Sequence, residues 1–261
     1  MSTETKKLNL NSKRVVKQIM IPLIKKLDRG ITTNGTVEIF DATLKFNPRI
    51  SELSYGDLRP FNKKYAENEE SWYNSLDRCI KGHPGIETNT TWSRIATDDG
   101  IVNSNYGYLV FAKRTNGKSQ YEYALESLKN SYNGNDSGRQ SVIYYAGPDM
   151  QWMWNDGVNA KHDFTCTFQT HHFIRDNKLF YIVYQRSADL IFGTTYDFHH
   201  HCNVYKKLFK DLCKSGIPLK TGKIIMHFSS LHVYERHFKL IRDIVNQYQP
   251  KRIKAAEKKN G

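Results

Sequence analysis

Apolar residues recur with a helical period in several stretches of the chain. These stretches are residues 11–28, 65–80, 121–131, 196–208 and 235–248. A period near 3.6 residues puts apolar side chains on one helix face, so each stretch is predicted to be helical. Pro22 lies inside the first stretch, and its missing backbone N–H predicts a kink or a break there.

Shorter stretches have the pattern of strands. Residues 36–40 alternate between apolar and polar side chains, which predicts one buried and one exposed strand face. The other predicted strands are residues 140–145, 164–173, 179–184 and 224–228. A polar turn at residues 175–178 separates two of them, so those two are predicted to be neighbours.

The chain length and composition indicate one large domain. The sequence has 261 residues, of which 39% are hydrophobic and 13% aromatic, so it can bury a full core. Neither an internal repeat nor a linker divides it. We therefore predict a single domain over residues 1–248, followed by a mobile basic tail over residues 249–261.

The formal net charge of +13 points to an anionic ligand. Such a charge is typical of nucleic-acid binding. The lysines are nevertheless scattered, and they cluster only at 25–26, 206–207 and between 251 and 259. Small polyanions suit this distribution better, so direct nucleic-acid binding is the less favoured alternative.

Other classes of protein and site are disfavoured. No apolar run approaches the roughly 20 residues of a membrane span, and the N-terminus lacks a signal-peptide apolar region, which predicts a soluble cytoplasmic protein. The cysteines at 79, 166, 202 and 213 lack zinc spacing, and the predicted compartment disfavours disulfides. The run His199–His201 does not predict a metal site, because consecutive helical residues point in different directions.

One stretch combines a thiol with charged and polar groups. Cys166 precedes the pair Arg186 and Ser187, and carboxyl groups follow at Asp189 and Asp197. A thiolate is a strong nucleophile when positive charge lies nearby, and arginine with a serine hydroxyl can hold a phosphate. The alternative is ordinary structure, with a core cysteine and a surface turn.

Three motifs in order favour the chemical interpretation. Tyr-Gln-Arg-Ser-Ala-Asp at 184–189, with Phe-Gly at 192–193, resembles the signature of the thymidylate synthase superfamily. In that family the nucleophilic cysteine precedes the tyrosine by 18 positions, as Cys166 does here. The segments at 230–237 and 103–107 are similar to the family's His-x-Tyr and Tyr-Gly segments.

The resemblance implies a fold and an oligomeric state. The family fold is α/β (α+β), with a large mixed β-sheet flanked by helices, and one sheet face forms a homodimer. The family's Asp-Ser-Arg-Arg pattern reaches the neighbouring subunit's phosphate site. Here Gly138 replaces the first arginine and Arg139 matches the second. Arg29 is a further candidate phosphate ligand, although its spacing to the following strand departs from the family.

Substrate-binding roles follow from the same resemblance. Cys166 is the expected nucleophile. Arg186 and Ser187 are expected to bind the nucleotide phosphate, and His232 and Tyr234 the deoxyribose.

Further residues are expected around the reacting ring and the folate. Glu69 matches the glutamate of the family's Glu-x-x-Trp, which organises water and relays protons. Tyr106 is expected near the pyrimidine ring. Trp92, Asp189 and Gly193 are expected to contact the folate.

The implied reaction uses 5,10-methylenetetrahydrofolate as co-substrate, without a metal. Cys166 attacks carbon 6 of a pyrimidine nucleotide, and carbon 5 then accepts the one-carbon unit. Thymidylate synthases have asparagine where this chain has Asp197. A carboxyl group accepts a hydrogen bond from the amino group of cytosine, so Asp197 favours dCMP over dUMP.

Other features indicate water as the final acceptor. Thr-Cys-Thr at 165–167 replaces the Pro-Cys-His of thymidylate synthases, and the C-terminal tail is charged rather than apolar. Over roughly residues 65–240 the chain resembles phage deoxycytidylate 5-hydroxymethyltransferases. That predicts a phage enzyme that makes 5-hydroxymethyl-dCMP in the host cytoplasm. The alternatives are a dUMP-directed thymidylate synthase or hydroxymethylase, and a non-catalytic nucleotide- or RNA-binding relative.

Overall fold

A five-stranded mixed sheet forms the centre of the computed structural model, which describes residues 8–135, 137–147 and 163–248. The strand order is β1-β5-β4-β3-β2. The pair β4 and β5 is parallel, and the other neighbours are antiparallel. The strands are β1 (Thr36–Phe46), β2 (Val142–Tyr144), β3 (Thr167–Arg175), β4 (Lys178–Asp189) and β5 (Lys220–Tyr234). The sheet bears out the mixed α/β prediction.

Helices accompany the sheet. The α-helices of the described residues are α1 (Leu10–Val15), α2 (Ile21–Leu27), α3 (Lys63–Ser75), α4 (Thr90–Ile95), α5 (Tyr106–Phe111), α6 (Gln120–Tyr132), α7 (Gly193–Lys214) and α8 (Phe238–Tyr248). Across the described ranges, no helix is both long and apolar enough to cross a membrane. The predicted tail at 249–261 lies outside the described residues.

The predicted first helix is confirmed, together with an interruption at its proline. A π-helical turn, Val16–Met20, joins α1 to α2, and Pro22 lies in the first turn of α2. Proline is well tolerated at the start of a helix, because the N–H it lacks would have no partner there. The wider turn before Pro22 thus lets one helical stretch continue past it.

The two sheet faces differ in burial. Leu44, Val183 and Met226 are fully buried in the core against the helices. Phe46 packs on Phe198 of α7, with ring centroids 4.4 Å apart. The alternate residues of the strands, such as Ile182, point to the opposite sheet face and are only partly buried. One sheet face therefore lies under helices and the other stays partly open.

Several predicted boundaries were wrong. Strands β1, β4 and β5 are longer than predicted, and β3 begins at Thr167 rather than Phe164. The carbonyl groups of Phe164 and Thr165 accept hydrogen bonds from the Arg186 guanidinium instead of a strand partner. A side chain thus replaces the strand ladder just before Cys166.

The turn between β3 and β4 follows the predicted hairpin. Asp176 and Asn177 have φ angles of 50° and 56°. Two consecutive residues with positive φ define the tight turn whose twist matches antiparallel strands, and Asp and Asn are residue types that tolerate it. This hairpin fixes the register of β4, which carries the Tyr-Gln-Arg-Ser motif.

Candidate active site

Helix α3 presents a buried carboxyl group. The Asn62 side chain caps the helix by accepting from the Tyr65 N–H. The Tyr65 hydroxyl, one turn before Glu69, donates to the Glu69 carboxylate at 2.6 Å and accepts from the Trp92 indole N–H at 3.0 Å. Burial raises the pKa of Glu69 to about 8, against the hydrogen bond from Tyr65, and the nearby Asp197 adds to the rise. Glu69 can therefore exchange a proton near neutral pH.

Tyr106 lies beside the predicted nucleophile. Asn105 caps α5 by accepting from the Tyr108 N–H, and Tyr106 is the first residue of the helix. The buried Tyr106 hydroxyl accepts a hydrogen bond from the backbone N–H of Thr167 at 3.2 Å. This contact joins the start of α5 to the residue after Cys166, so the two motifs meet in the folded chain.

Gly107 allows α5 to approach α3. A Cβ atom at this position would lie 1.9 Å from the backbone oxygen of Tyr73. The Tyr73 and Tyr106 rings stack with centroids 5.9 Å apart. A larger residue at 107 would push Tyr106 away from α3, so the glycine of the Tyr-Gly motif has a packing role.

Cys166 lies immediately before β3 and beside Arg186. Its carbonyl accepts from the Arg186 backbone N–H at 2.9 Å. Burial raises the pKa of the Cys166 thiol to about 11, Asp197 adds to the rise, and Arg186 opposes it. The expected activation by nearby positive charge is therefore outweighed in the ligand-free site, because burial and negative charge together exceed the effect of one arginine.

The Arg186 guanidinium is partly committed to the protein. Nε donates to the Thr165 carbonyl at 3.1 Å and one terminal nitrogen to the Phe164 carbonyl at 2.8 Å, while the guanidinium lies over the Phe164 ring. A guanidinium has five N–H donors, so several are left for an anion. Arg186 can thus fix the nucleophile segment and bind phosphate at the same time.

Asp197 is held by a neighbouring amide. Gln185 Nε2 donates to Asp197 Oδ2 at 2.6 Å and to Thr167 Oγ1 at 3.1 Å. Burial raises the pKa of Asp197 to about 6, although the hydrogen bond from Gln185 and the nearby His200 oppose the rise. The contact uses one carboxylate oxygen and leaves Oδ1 as the acceptor for a ligand.

The second predicted binding motif meets the first across two parallel strands. His232 on β5 pairs with Asp189 on β4, and His232 Nδ1 lies 3.3 Å from Ser187 Oγ. The Tyr234 ring is 5.1 Å from the His232 ring and 37% exposed. The structure therefore brings Ser187, His232 and Tyr234 to one region, as expected for residues that share a ligand.

The folate candidates are distributed around this region. Trp92 packs edge-on against Trp72, with ring centroids 4.9 Å apart. Asp189 accepts a hydrogen bond from the Ile191 N–H, and Gly193 begins α7 after the exposed Phe192. Arg59, which the sequence reasoning missed, lies over the Phe192 ring at 4.7 Å. Trp92 is thus linked to Glu69 through the Tyr65 hydroxyl. Gly193 lies next to the Asp189 side chain.

Two predicted phosphate ligands lie apart from these groups. Arg29 is exposed after α2, and Arg139 is exposed on the loop before β2. Among the described residues, no recorded contact joins either side chain to Cys166 or Arg186. The loop of Arg139 instead meets β3, where the Arg139 carbonyl is 2.9 Å from His171 Nε2.

The departure at Gly138 has a local physical cause. Gly138 has a φ of +65°, and a Cβ atom there would lie 2.1 Å from Ser131 Oγ. Its carbonyl accepts from the Arg175 guanidinium at 3.3 Å. Because an arginine at this position would meet both backbone strain and a steric clash, the family's first arginine does not fit this loop.

The three consecutive histidines have different hydrogen-bonding neighbours. His199 Nδ1 faces the Ser51 carbonyl, His200 Nδ1 lies 3.1 Å from a Glu70 carboxylate oxygen, and His201 lies near Thr167 and Tyr181. Within residues 8–135, 137–147 and 163–248, no group of three His, Cys, Asp or Glu side chains could hold a metal ion.

Besides Arg59, three side chains of this region were missed by the sequence reasoning. Tyr65 could have been found, because it lies four residues before Glu69 on one helix and so shares its face. Gln185 lies inside the Tyr-Gln-Arg-Ser motif. Asp163 gives no local signal, because its partners lie about 60 residues earlier.

Comparison with known proteins gives the family of the chain. The thymidylate synthase family model matches residues 12–259. Deoxycytidylate 5-hydroxymethyltransferase of Enterobacteria phage T6 is 36% identical over 224 residues, covering 84% of each chain. The thymidylate synthase of Bacillus licheniformis is 24% identical over 220 residues, covering 81% of this chain and 71% of that one.

A solved structure supports the same fold. Thermostable thymidylate synthase A from Bacillus subtilis superposes with a TM-score of 0.62 at 20% identity, covering 88% of this chain and 83% of the other. The family supports a folate-dependent one-carbon transfer to a pyrimidine nucleotide. From the family match and the identity to the phage relative, the chain belongs to the thymidylate synthase family.

Proposed function

We propose that this chain transfers a one-carbon unit from 5,10-methylenetetrahydrofolate to carbon 5 of dCMP and releases 5-hydroxymethyl-dCMP and tetrahydrofolate. The observation that carries the proposal is the Asp197 carboxylate, which Gln185 holds at 2.6 Å. The names of the phage relatives support the same substrate.

The base contact follows from the inventory of donors and acceptors. With Oδ2 bound to Gln185, Asp197 offers Oδ1 to the ring edge. Cytosine presents an amino donor at carbon 4, whereas uracil presents a carbonyl acceptor there. An ionised carboxylate accepts from the first and repels the second. A site built for one hydrogen-bonding pattern leaves polar groups unpaired with the other, so it discriminates strongly.

The nucleophilic step uses the Cys166 thiolate. Its sulfur bonds to carbon 6, and the electron pair of the carbon 5–carbon 6 double bond moves to carbon 5. Carbon 5 bonds to the one-carbon unit and loses its proton. Tetrahydrofolate then leaves with the electron pair of the carbon–nitrogen bond, and an exocyclic methylene forms at carbon 5. Water adds to that methylene, and elimination of the thiolate restores the carbon 5–carbon 6 double bond.

Positive charge is needed for the first step, because the ligand-free thiol has a pKa of about 11. The proton of the thiol has to pass to a nearby base or to water. Arg186 favours the thiolate electrostatically. The negative charge of Asp197 disfavours the thiolate. A hydrogen bond from the cytosine amino group partly neutralises this charge, so substrate binding also assists formation of the nucleophile.

Glu69 is proposed to move protons around the ring. Its pKa of about 8 allows both protonation states near neutral pH, and the Tyr65 hydroxyl holds one of its oxygens. A carboxyl group with these properties can protonate the ring and later accept a proton from the attacking water.

A homodimer is part of the proposal. The open sheet face carries Phe180, Ile182 and Tyr184 on β4 and Ile225 and His227 on β5, all partly buried. The Tyr184 and His227 rings stack there with centroids 5.1 Å apart. A second copy of the chain can cover this face. Arg139 of that copy is then proposed to join Arg186 of the first chain in binding the phosphate.

A product assay tests the function. Purified protein and methylenetetrahydrofolate are mixed with dCMP, CMP or dUMP in separate reactions, and the products are identified by mass spectrometry. We expect a hydroxymethyl adduct on dCMP. Methylated dUMP with dihydrofolate would instead establish a thymidylate synthase, which the relatives at 24–26% identity keep as the second candidate.

A non-catalytic relative is the third possibility, motivated by the net charge of +13. It requires salt-sensitive oligonucleotide binding without turnover. Absence of product in all three reactions would reject the enzymatic proposal.

A further inference from the structure

Asp163 is a buried carboxylate that holds the segment before Cys166. Its residue is 4% exposed. Oδ2 accepts from the backbone N–H groups of Asn103 and Ser104 at 2.6 and 2.8 Å, and Oδ1 accepts from Ser104 Oγ at 2.6 Å. Three donors thus converge on one side chain, which compensates the cost of burying its charge.

The loop that supplies these donors is itself fixed. Arg78 donates to the Asn103 side-chain oxygen at 2.6 Å and to the Val102 carbonyl at 2.9 Å. Asn105 donates to the Asp77 carbonyl at 2.8 Å. Asp163 therefore binds a loop that is anchored just beyond the end of α3, the helix that carries Glu69.

A second connection lies on the other side of the thiol. Thr167 donates its backbone N–H to the Tyr106 hydroxyl, three residues beyond Asn103. The two segments, 103–106 and 163–167, are consequently joined at both ends, with Cys166 inside the joined region. Between these two hydrogen-bonded ends, the Arg186 guanidinium donates to the carbonyls of Phe164 and Thr165.

We propose that Asp163 is a positioning residue that fixes the Cys166 sulfur relative to Tyr106. It does not touch substrate in this assignment, and it acts through the 163–167 segment. The inference rests on the proposed role of Cys166 as nucleophile. Burial raises the pKa of Asp163, and the hydrogen bonds from Ser104 and Asn103 oppose that rise.

Asp163→Asn is the informative substitution, because it keeps the shape of the side chain. An amide has one acceptor oxygen, and its NH2 group would face N–H or O–H donors. It also removes a negative charge that disfavours the Cys166 thiolate. A displaced Cys166 sulfur should slow turnover. The lost negative charge at position 163 and the looser packing of the 163–167 segment should speed alkylation of the Cys166 thiol.

The experiment measures both quantities in the full-length chain. Iodoacetamide labelling of each cysteine is followed by peptide mass spectrometry, and kcat and KM for dCMP are determined in parallel. Cys202 is 0% exposed and reports global unfolding, and Cys213 is exposed and reports reagent activity. We expect kcat to fall by about tenfold or more, since small displacements of reacting groups are costly, while KM changes little and Cys166 alkylation accelerates.

Ser104→Ala is the second variant, because it removes one donor and keeps the charge of Asp163. We expect a smaller fall in kcat, about two- to fivefold, with Cys202 still protected. Where Asp163→Asn does not fold, Ser104→Ala decides the outcome. Wild-type kcat in Ser104→Ala and in any folded Asp163→Asn would overturn the inference.

A purely structural role would also overturn it. In that case kcat would fall in Ser104→Ala, and in any folded Asp163→Asn, only where Cys202 also becomes accessible to iodoacetamide. Failure of the proposed function is recognised separately, because the wild-type enzyme would then form no product from dCMP. The alkylation rates need no substrate and still report on the position of Cys166.

Discussion

The side-chain amide of Gln185 donates to Asp197 Oδ2 across 2.6 Å, between strand β4 and helix α7. The same nitrogen donates to Thr167, the residue after Cys166. One amide thus links the predicted base-reading carboxylate to the nucleophile segment. This hydrogen bond favours the ionised form of Asp197 and so opposes the rise in its pKa that burial causes.

Asp197→Asn should shift the preference of the enzyme from dCMP toward dUMP. An asparagine amide can donate to the uracil carbonyl, which a carboxylate cannot do. We expect the ratio of kcat/KM for dCMP to that for dUMP to fall by at least about a hundredfold, because mismatched polar groups are left unpaired. Steady-state kinetics with both nucleotides measure this ratio, and an unchanged ratio would reject the base contact.

Cys166→Ala should abolish turnover while the protein remains folded. The thiolate forms the bond to carbon 6 that makes carbon 5 nucleophilic in the proposed mechanism, so we expect a loss of at least about 10³-fold in kcat. Product formation is followed by mass spectrometry, and circular dichroism checks the fold. Cys213→Ala is the matched control, because this thiol is exposed at the far end of α7. Substantial turnover by Cys166→Ala would contradict the assignment of the nucleophile.

The activity should depend on pH through Asp197. Its pKa of about 6 means that the ionised form, which accepts from the cytosine amino group, is lost below that pH. We expect kcat/KM for dCMP to rise with pH through about 6. In Asp197→Asn this limb should disappear, and its persistence would assign the titration to another group.

Stability should also respond to pH, through Glu69. Folding raises its pKa from 4.5 to about 8, so the folded state binds the proton more tightly than the unfolded state does. The contribution is therefore most favourable below pH 4.5 and is lost as the pH rises through 8. Its slope approaches about 1.4 kcal/mol per pH unit between these limits. Asp197, raised from 3.8 to about 6, adds a slope of the same sign over its own range.

Glu69→Gln tests this linkage. Urea unfolding between pH 5 and 9 should show that the variant loses less stability than wild type as the pH rises. Glu122→Gln serves as the control without an effect in this range, because hydrogen bonds from Lys113 and Ser119 lower the pKa of this exposed carboxyl from 4.5 to about 2. Its contribution to stability therefore changes only below about pH 4.5. Parallel curves for Glu69→Gln and wild type would show that Glu69 has an ordinary pKa.

Tyr65→Phe should lower kcat more than it changes KM for dCMP. It removes the donor at 2.6 Å from Glu69 and the acceptor of Trp92. The Glu69 carboxyl then lacks its fixed orientation, and we expect a fall of about tenfold or more, in line with the value of a positioned acid–base group. Tyr123→Phe, on the exposed side of α6, is the control and should leave kcat unchanged.

Ile182→Asp should convert the proposed dimer to a monomer. The side chain lies on the open sheet face, where a buried carboxylate without a partner would be costly in an interface. Light scattering after size-exclusion chromatography measures the mass. Leu10→Asp is the control, because this residue is 54% exposed on α1. A wild-type chain that is monomeric would refute the proposed dimer.

Local pattern was enough for much of the secondary structure. The alternation at 36–40, the helical period at 11–28 and the polar residues of the β3–β4 turn each predict an element that the structure contains. These signals are local, because they depend on neighbours within about one turn or one hairpin. The start of β3 was misjudged because the Arg186 guanidinium binds the carbonyls of residues 164 and 165, and the end of β4 because its ladder with β5 continues to Asp189.

The sequence by itself determined which chemical groups are present, their order and the family to which they belong. Cys166, the Tyr-Gln-Arg-Ser motif and Asp197 are legible without coordinates, as is the absence of the usual asparagine. Tertiary structure alone decided which groups meet and how they ionise. The partners of Asp163 lie about 60 residues away in the chain. The raised pKa values of Cys166, Asp197 and Glu69 arise from burial, a property of the packed molecule that no short stretch of sequence encodes.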